Sequence, residues 1–187
     1  RYSTRRIAAS ELRQIGAEAF DALHAATEDS DPEVAASASY LLRQIAVRWV
    51  QPDDAQAVRS ALRQYGQEQE NTRQTRVEQL ARIPNGGGLA ALCRIARFDR
   101  SPIVSRKAAL AIIQPRDPTE PRPTVDAAII DQQLGVSSRA SAQWLRQFVA
   151  QQRDPAAAIS GWKQLVAQEI GRTGKNGDTT NEIQIGL

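Results

Sequence analysis

SDPEVAASASYLLRQI, residues 30–45, is the stretch on which the architecture turns. Asp31 is placed to cap a helix, accepting from the N–H groups that the first turn leaves without intrahelical partners. Pro32 fits the first helical position, where its missing donor costs nothing and its backbone angle is already helical. Glu33 sets negative charge against the positive end of the helix dipole. Val34, Ala38, Leu41, Leu42 and Ile45 then recur at helical spacing and form one apolar stripe. The pattern predicts a helix over about residues 31–48.

Parts of this unit occur again. Leu12-Arg13-Gln14-Ile15 is the same tetrapeptide as Leu42-Arg43-Gln44-Ile45, and Asp31-Pro32-Glu33-Val34 is echoed by Ser101-Pro102-Ile103-Val104. After Ser101-Pro102, the stripe positions fall to Val104, Ala108, Ala111 and Ile112, and Pro115 stops the helix. Thr4, Ala8, Glu11, Leu12 and Ile15 align with residues 34, 38, 41, 42 and 45, and a weaker fourth copy spans roughly 70–83 through Leu80 and Ile83. Partner helices are predicted between the copies. Ala17–Glu28 presents Phe20, Leu23 and Thr27 after Gly16, Asp53–Tyr65 presents Val58, Ala61, Leu62 and Tyr65, and Leu89–Phe98 presents Leu89, Leu92, Ile95 and Ala96. Neither member of such a pair buries its stripe alone, so antiparallel hairpins stacked in sequence are the expected result.

A short loop, Asp-Pro-Glu-Val, and an Ala-rich helix ending in a Leu-Leu pair resemble the HEAT-like (armadillo-type) repeats of bacterial proteins over about residues 4–114. The resemblance implies an all-α fold, a right-handed α-solenoid of stacked antiparallel helical hairpins with about ten helices. Two departures stand out. The arginine usual directly after the Val is Ala35 in one copy and Ser105 in another, and the anchors at 12, 42, 80 and 112 are unevenly spaced. An irregular array is expected to curve irregularly.

Residues 1–114 therefore read as the repeat array. Four prolines in residues 115–124 make 115–123 an extended, semi-rigid connector. Helices are predicted at about 124–134, 138–152 and 155–170, with Gly135 ending the first, Ser137 or Ser138 capping the second and Asp154-Pro155 opening the third. Trp144, Leu145, Phe148 and Val149 are expected to face Ile159, Trp162, Leu165 and Val166, so that 124–171 closes the solenoid. Residues 172–187 read as a flexible tail in which Glu182–Ile185 alternates enough to add a short strand to a partner.

Composition narrows the classes. The chain has 187 residues, 41% hydrophobic but only 5% aromatic, which excludes a generally disordered chain and suits closely packed Ala/Leu/Ile/Val helices. A single cysteine forms no disulfide framework and suits a cytoplasmic or a periplasmic protein equally. With Arg1 first and no methionine, the sequence reads as a piece of a longer chain or a processed one, and no apolar run approaches the roughly 18 residues of a membrane span.

The chemistry is sparse. His24, the only histidine, reads as a surface residue turned away from the Phe20/Leu23 face, and Cys93 as a small buried hydrophobe. No His/Cys pair offers a structural zinc site, and no cofactor or metal is expected. PNGGG, residues 84–88, is followed by no Lys-Ser/Thr and preceded by no strand, so it reads as a permissive turn rather than a phosphate loop. Charge is the informative feature. Residues 1–58 hold six basic and nine acidic groups, residues 59–107 hold ten and four, and residues 108–187 hold eight of each.

Arg73, Arg76, Arg106 and Lys107 fall on equivalent helices of that basic middle, so stacking would align them as a candidate binding patch. Against the patch stands compensation by Glu68, Glu70 and Glu78, together with little aromatic interleaving for stacked bases. The expected function is a non-catalytic protein-interaction or scaffold module with a protein or peptide partner. The alternative is a nucleic-acid-binding HEAT-like protein, including a DNA glycosylase-like repair enzyme, for which Trp49 and Asp53/Asp54 lie close together in sequence.

Overall fold

The computed structural model describes residues 2–114 and 125–176, with side chains between residues 7 and 171 of these except at Ala157. The described residues are all-α, without strands. Helix α1, Tyr2–Ile15, ends at Gly16, whose φ of +70° is the left-handed turn that glycine adopts at little cost. A 3-10 turn, Gly16–Ala19, leads into α2, Phe20–Ala26, so the expected Ala17–Glu28 helix begins with a tighter turn and ends two residues early.

Helix α3, Pro32–Leu42, starts as its cap predicts, with Asp31 Oδ1 accepting from the Glu33 N–H at 2.8 Å. It ends at Leu42 and does not continue to 48. Packing overrides the periodicity here. Beyond Leu42 the chain turns and runs irregularly, so that Trp49 reaches the Tyr65 ring at a centroid distance of 4.6 Å and the Gln51 N–H donates to Asp54 at 2.7 Å. That use of Asp54 also explains why α4, Gln56–Leu62, starts after 53, with Tyr65 falling in a separate 3-10 turn.

Helices α5, Glu70–Ala81, and α6, Leu89–Phe98, flank the PNGGG turn. Asn85 and Gly86 take positive φ of 56° and 68°, and a Cβ on Gly88 would stand 2.1 Å from the Leu80 carbonyl oxygen. The glycines are needed for backbone geometry, in agreement with a turn. Helix α7, Pro102–Ile113, is capped by Ser101, and α8, Ala127–Leu134, ends at Gly135 with φ +51°. Helix α9, Ala140–Arg153, has Arg139 rather than Ser137 or Ser138 at its cap position, with no side-chain bond there. Helix α10, Pro155–Asn176, opens on Asp154, whose carboxylate accepts from the Ala156 N–H at 3.1 Å. It runs beyond 170, so the first residues of the expected tail are helical. The proposed connector and the Glu182–Ile185 strand lie outside the described residues.

Two apolar clusters result. The larger joins α4 to α9 and includes Val58, Tyr65, Val77, Leu80, Leu92, Ile95, Val104, Ile112, Ile130 and Leu145. The smaller holds Ala19, Leu23, Ala38 and Leu41, with Leu12 and Ile45 against it. Helix α6 is central, packing on α5, α7, α8 and α9, while α7 lies between α5 and α9. Helix α3 meets only α2 and α1 to this extent, and Val34 and Ile15, expected on the buried stripe, are exposed. In α10 the expected inward Ile159 is also exposed, because Ala158 and Glu169 turn that helix's other face to the core.

Candidate functional site

The loop between α6 and α7 is where the sequence's charges converge. Asp99 is buried, and its carboxylate accepts from the Tyr65 hydroxyl at 2.6 Å, from Arg73 Nε and Nη2 at 2.9 and 3.2 Å, and from the Ser101 N–H at 2.7 Å. Burial, together with the charge and hydrogen bond of Asp99, pushes the Tyr65 hydroxyl far above its usual value. Arg139 donates to the carbonyls of Arg97 and Asp99 at 2.9 and 2.5 Å. Burial pulls its guanidinium down to about 10, against the favourable charges of Asp99 and Asp21.

Helix α6 contributes two further tethers. Arg94 donates to both oxygens of Asp54 at 2.9 and 3.0 Å and to the Trp49 carbonyl, fixing the irregular segment after α3 to the main core. Burial acts to raise the Asp54 carboxyl, but the hydrogen bonds from Arg94 and Gln51 and the charges of Arg94 and Arg59 outweigh it and hold the group below its usual range. Arg97 donates to Asp21 at 3.0 and 2.7 Å and to the Gln133 carbonyl at 3.0 Å, and Phe20 meets Phe98 edge-on at 5.2 Å. These contacts join the smaller apolar cluster to the larger one.

The four cations read from the sequence as a patch are each engaged by a carboxylate. Arg73 is buried against Asp99, Arg76 grips Glu68 with its closest contact at 2.6 Å, Arg106 meets Glu169 at 2.6 Å, and Lys107 meets Glu78 at 2.6 Å. Arg106 also lies 6.0 Å from the centre of the Trp144 ring. The compensating Glu68 and Glu78 are thus direct partners, whereas Arg73 is met by Asp99, the fourth acid of the same segment, and Arg106 by Glu169 on α10. Each of the four is held in a pair of its own.

The remaining candidates resolve simply. Cys93 is fully buried, and that burial pushes its thiol up to about 12, in keeping with a packing role. His24 is half-buried, with its ring 6.4 Å from the Phe20 ring, because residues four apart share a helix face. This corrects the expectation that it faces away. Trp49 packs on Tyr65, and Asp54 is occupied by Arg94. Among the described residues, no group of three or more His, Cys, Asp or Glu gathers to hold a metal, and no helix is long and apolar enough to cross a membrane.

A cleft that pattern reading missed lies at the seam between the two clusters. It encloses about 130 Å³, and Phe20, Leu42, Ile45, Val47, Trp49 and Phe98 form its apolar walls. Arg43 and Arg100 also line it; both are exposed, and neither has a carboxylate partner among the described residues. A second depression, of about 510 Å³, shares Arg73 and Arg100 with the cleft and reaches Pro102 and Ile103. The sequence carried one local hint, an arginine beside an acidic residue at Asp99-Arg100, but it reads equally as a neutralised pair. Compared with protein-family models, curated proteins and solved structures, the chain matches none.

Proposed function

We propose that the chain is a non-catalytic protein-interaction or scaffold module, built as a right-handed α-solenoid of HEAT-like hairpins and working through its surface. The observation that carries this reading is the side-by-side packing of α5, α7 and α9, with α6 and α8 packed on each other as the companion layer. Two layers of this kind are what stacked antiparallel hairpins produce. In this reading α1–α7 are the array, and α8–α10 close its far end.

The fate of the buried charges also favours a surface role. Arg73, Arg94 and Arg97 tether one segment to another through carboxylates. The nucleic-acid alternative draws its phosphate contacts from Arg73, Arg76, Arg106 and Lys107, and all four are already ion-paired.

Panning a random peptide display library against the folded chain, beside titration of a labelled duplex and a labelled single strand at about 50 and about 200 mM salt, tests the reading. The expected result is an enriched peptide consensus and no tight nucleic-acid binding. Absence of any peptide consensus would overturn it, and tight, salt-sensitive binding of either nucleic acid in that case would favour the nucleic-acid alternative.

A further inference from the structure

We propose that the cleft between Arg43 and Arg100 receives an acidic peptide segment, seating one apolar side chain against the aromatic walls with a carboxylate held at the arginine rim. The inference rests on the interaction-module reading and specifies its partner. Size is the first argument. At about 130 Å³ the cleft falls well short of the roughly 300–1,000 Å³ of a small-molecule or cofactor pocket, yet it has room for a single side chain. Its apolar side, drawn from Phe20, Leu42, Ile45, Val47, Trp49 and Phe98, suits an aliphatic or aromatic anchor, while Arg43, Arg73, Asp99 and Arg100 make the rest of its lining polar.

Charge is the second argument. Around this seam the protein answers its own cations: Arg73, Arg94 and Arg97 have Asp99, Asp54 and Asp21, while Arg139 is spent on backbone carbonyls. Arg43 and Arg100, like exposed Arg48 and Arg63, have no carboxylate of the described chain to meet them, and these two line one cleft. The adjacent Asp99 does not serve Arg100, because its two oxygens are taken by Tyr65, Arg73 and the Ser101 N–H. A guanidinium presents a planar fork of donors that matches a carboxylate in two parallel hydrogen bonds. Two such forks beside a partly apolar slot complement an Asp or Glu flanking a Leu, Ile, Phe or Trp. A nucleic-acid backbone needs a line of free cations instead, and the neighbouring cations on α5 and α7 are paired.

The test uses the consensus peptide from the library panning, fluorescein-labelled, in anisotropy titrations against the wild-type chain and an R43E/R100E variant. Both side chains are exposed and unpaired, so the variant is expected to keep the wild-type circular dichroism and melting midpoint. The expected consensus places Asp or Glu within a few residues of a large apolar side chain, and its affinity falls by about tenfold or more in the variant. Replacing the peptide's acid by Lys restores affinity for the variant and abolishes it for the wild type. A consensus without an acidic residue, or an acidic one bound equally by the variant, would overturn the inference and leave the module reading standing. Failure of the library to yield any consensus overturns both.

Discussion

The Tyr65 hydroxyl donates to Asp99 Oδ2 at 2.6 Å, with both side chains buried and thirty-four positions apart in the sequence. Asp99 also takes two bonds from buried Arg73, so this carboxylate neutralises a charge and satisfies a phenol at once. Asp99→Asn leaves Arg73 buried without a counter-charge and is expected to cost about 3–5 kcal/mol. Tyr65→Phe removes one donor from a carboxylate that keeps its other partners, at about 1–2 kcal/mol. Urea unfolding midpoints at unchanged slope check the order, and an equal or larger loss for Tyr65→Phe would mean that Asp99 is not the hub.

Asp54 makes stability depend on acid. Its folded pKa lies below its ordinary value of 3.8, so the stabilisation it gives is complete above that value and is lost as pH falls through the folded pKa. Asp54→Asn is expected to cost about 3 kcal/mol at neutral pH by stranding buried Arg94. The gap between the two proteins should close as pH drops below 3.8, which unfolding curves at stepped pH would read.

Cys93 gives the opposite dependence. An ordinary thiol value of 9.0 is raised to about 12 in the fold, so this group's contribution is intact below pH 9.0 and declines as pH climbs toward about 12. A thiol-reactive disulfide reagent at pH 8 is expected to label Cys93 only at the rate of unfolding, and immediately in denaturant. Prompt labelling of the folded chain would contradict the packing role.

Arg73, Arg76 and Lys107 sort by burial when each is changed to Gln. Arg73 is buried and paired with buried Asp99, and its loss is expected to cost about 3–5 kcal/mol. Arg76 is partly exposed beside Glu68 and should cost below about 1 kcal/mol. Lys107, paired with an exposed Glu78, should leave the melting midpoint where it is. Equal effects would indicate that these residues do not act as separate pairs.

Two glycines of PNGGG separate close approach from backbone handedness. Gly88→Ala drives a methyl group into the Leu80 carbonyl and is expected to cost about 1–3 kcal/mol. Gly86→Ala meets open space at φ +68° and pays only the left-handed penalty, about 1 kcal/mol. Thermal melts of the two variants would show the difference.

The helix starts at Asp31-Pro32, Ser101-Pro102 and Asp154-Pro155 were readable in advance, as was Leu89–Phe98 to the residue. So were the buried Phe20, Leu23, Val58, Leu80, Val104 and Phe148. Caps act across two or three residues and stripes repeat every turn, so the information that sets them is local. The reading failed where that locality ended: α3 stops six residues short of 48, because Trp49 and Asp54 have partners on other helices.

Composition and periodicity were thus enough to predict helices throughout the described residues, the starts at Asp31, Ser101 and Asp154, and many of the buried faces. Where its charges would go was decided by the tertiary structure. Arg73 meets Asp99 across 26 residues, Arg94 meets Asp54 across 40 and Arg97 meets Asp21 across 76. Helix packing selects those partners, and the linear order of the residues does not encode the choice. The same packing turned an apparent basic patch into ion pairs and left Arg43 and Arg100 beside a cleft with both apolar and polar walls. Burial favours pairing a charge wherever a carboxylate is within reach, and these two arginines stand where the described chain supplies none.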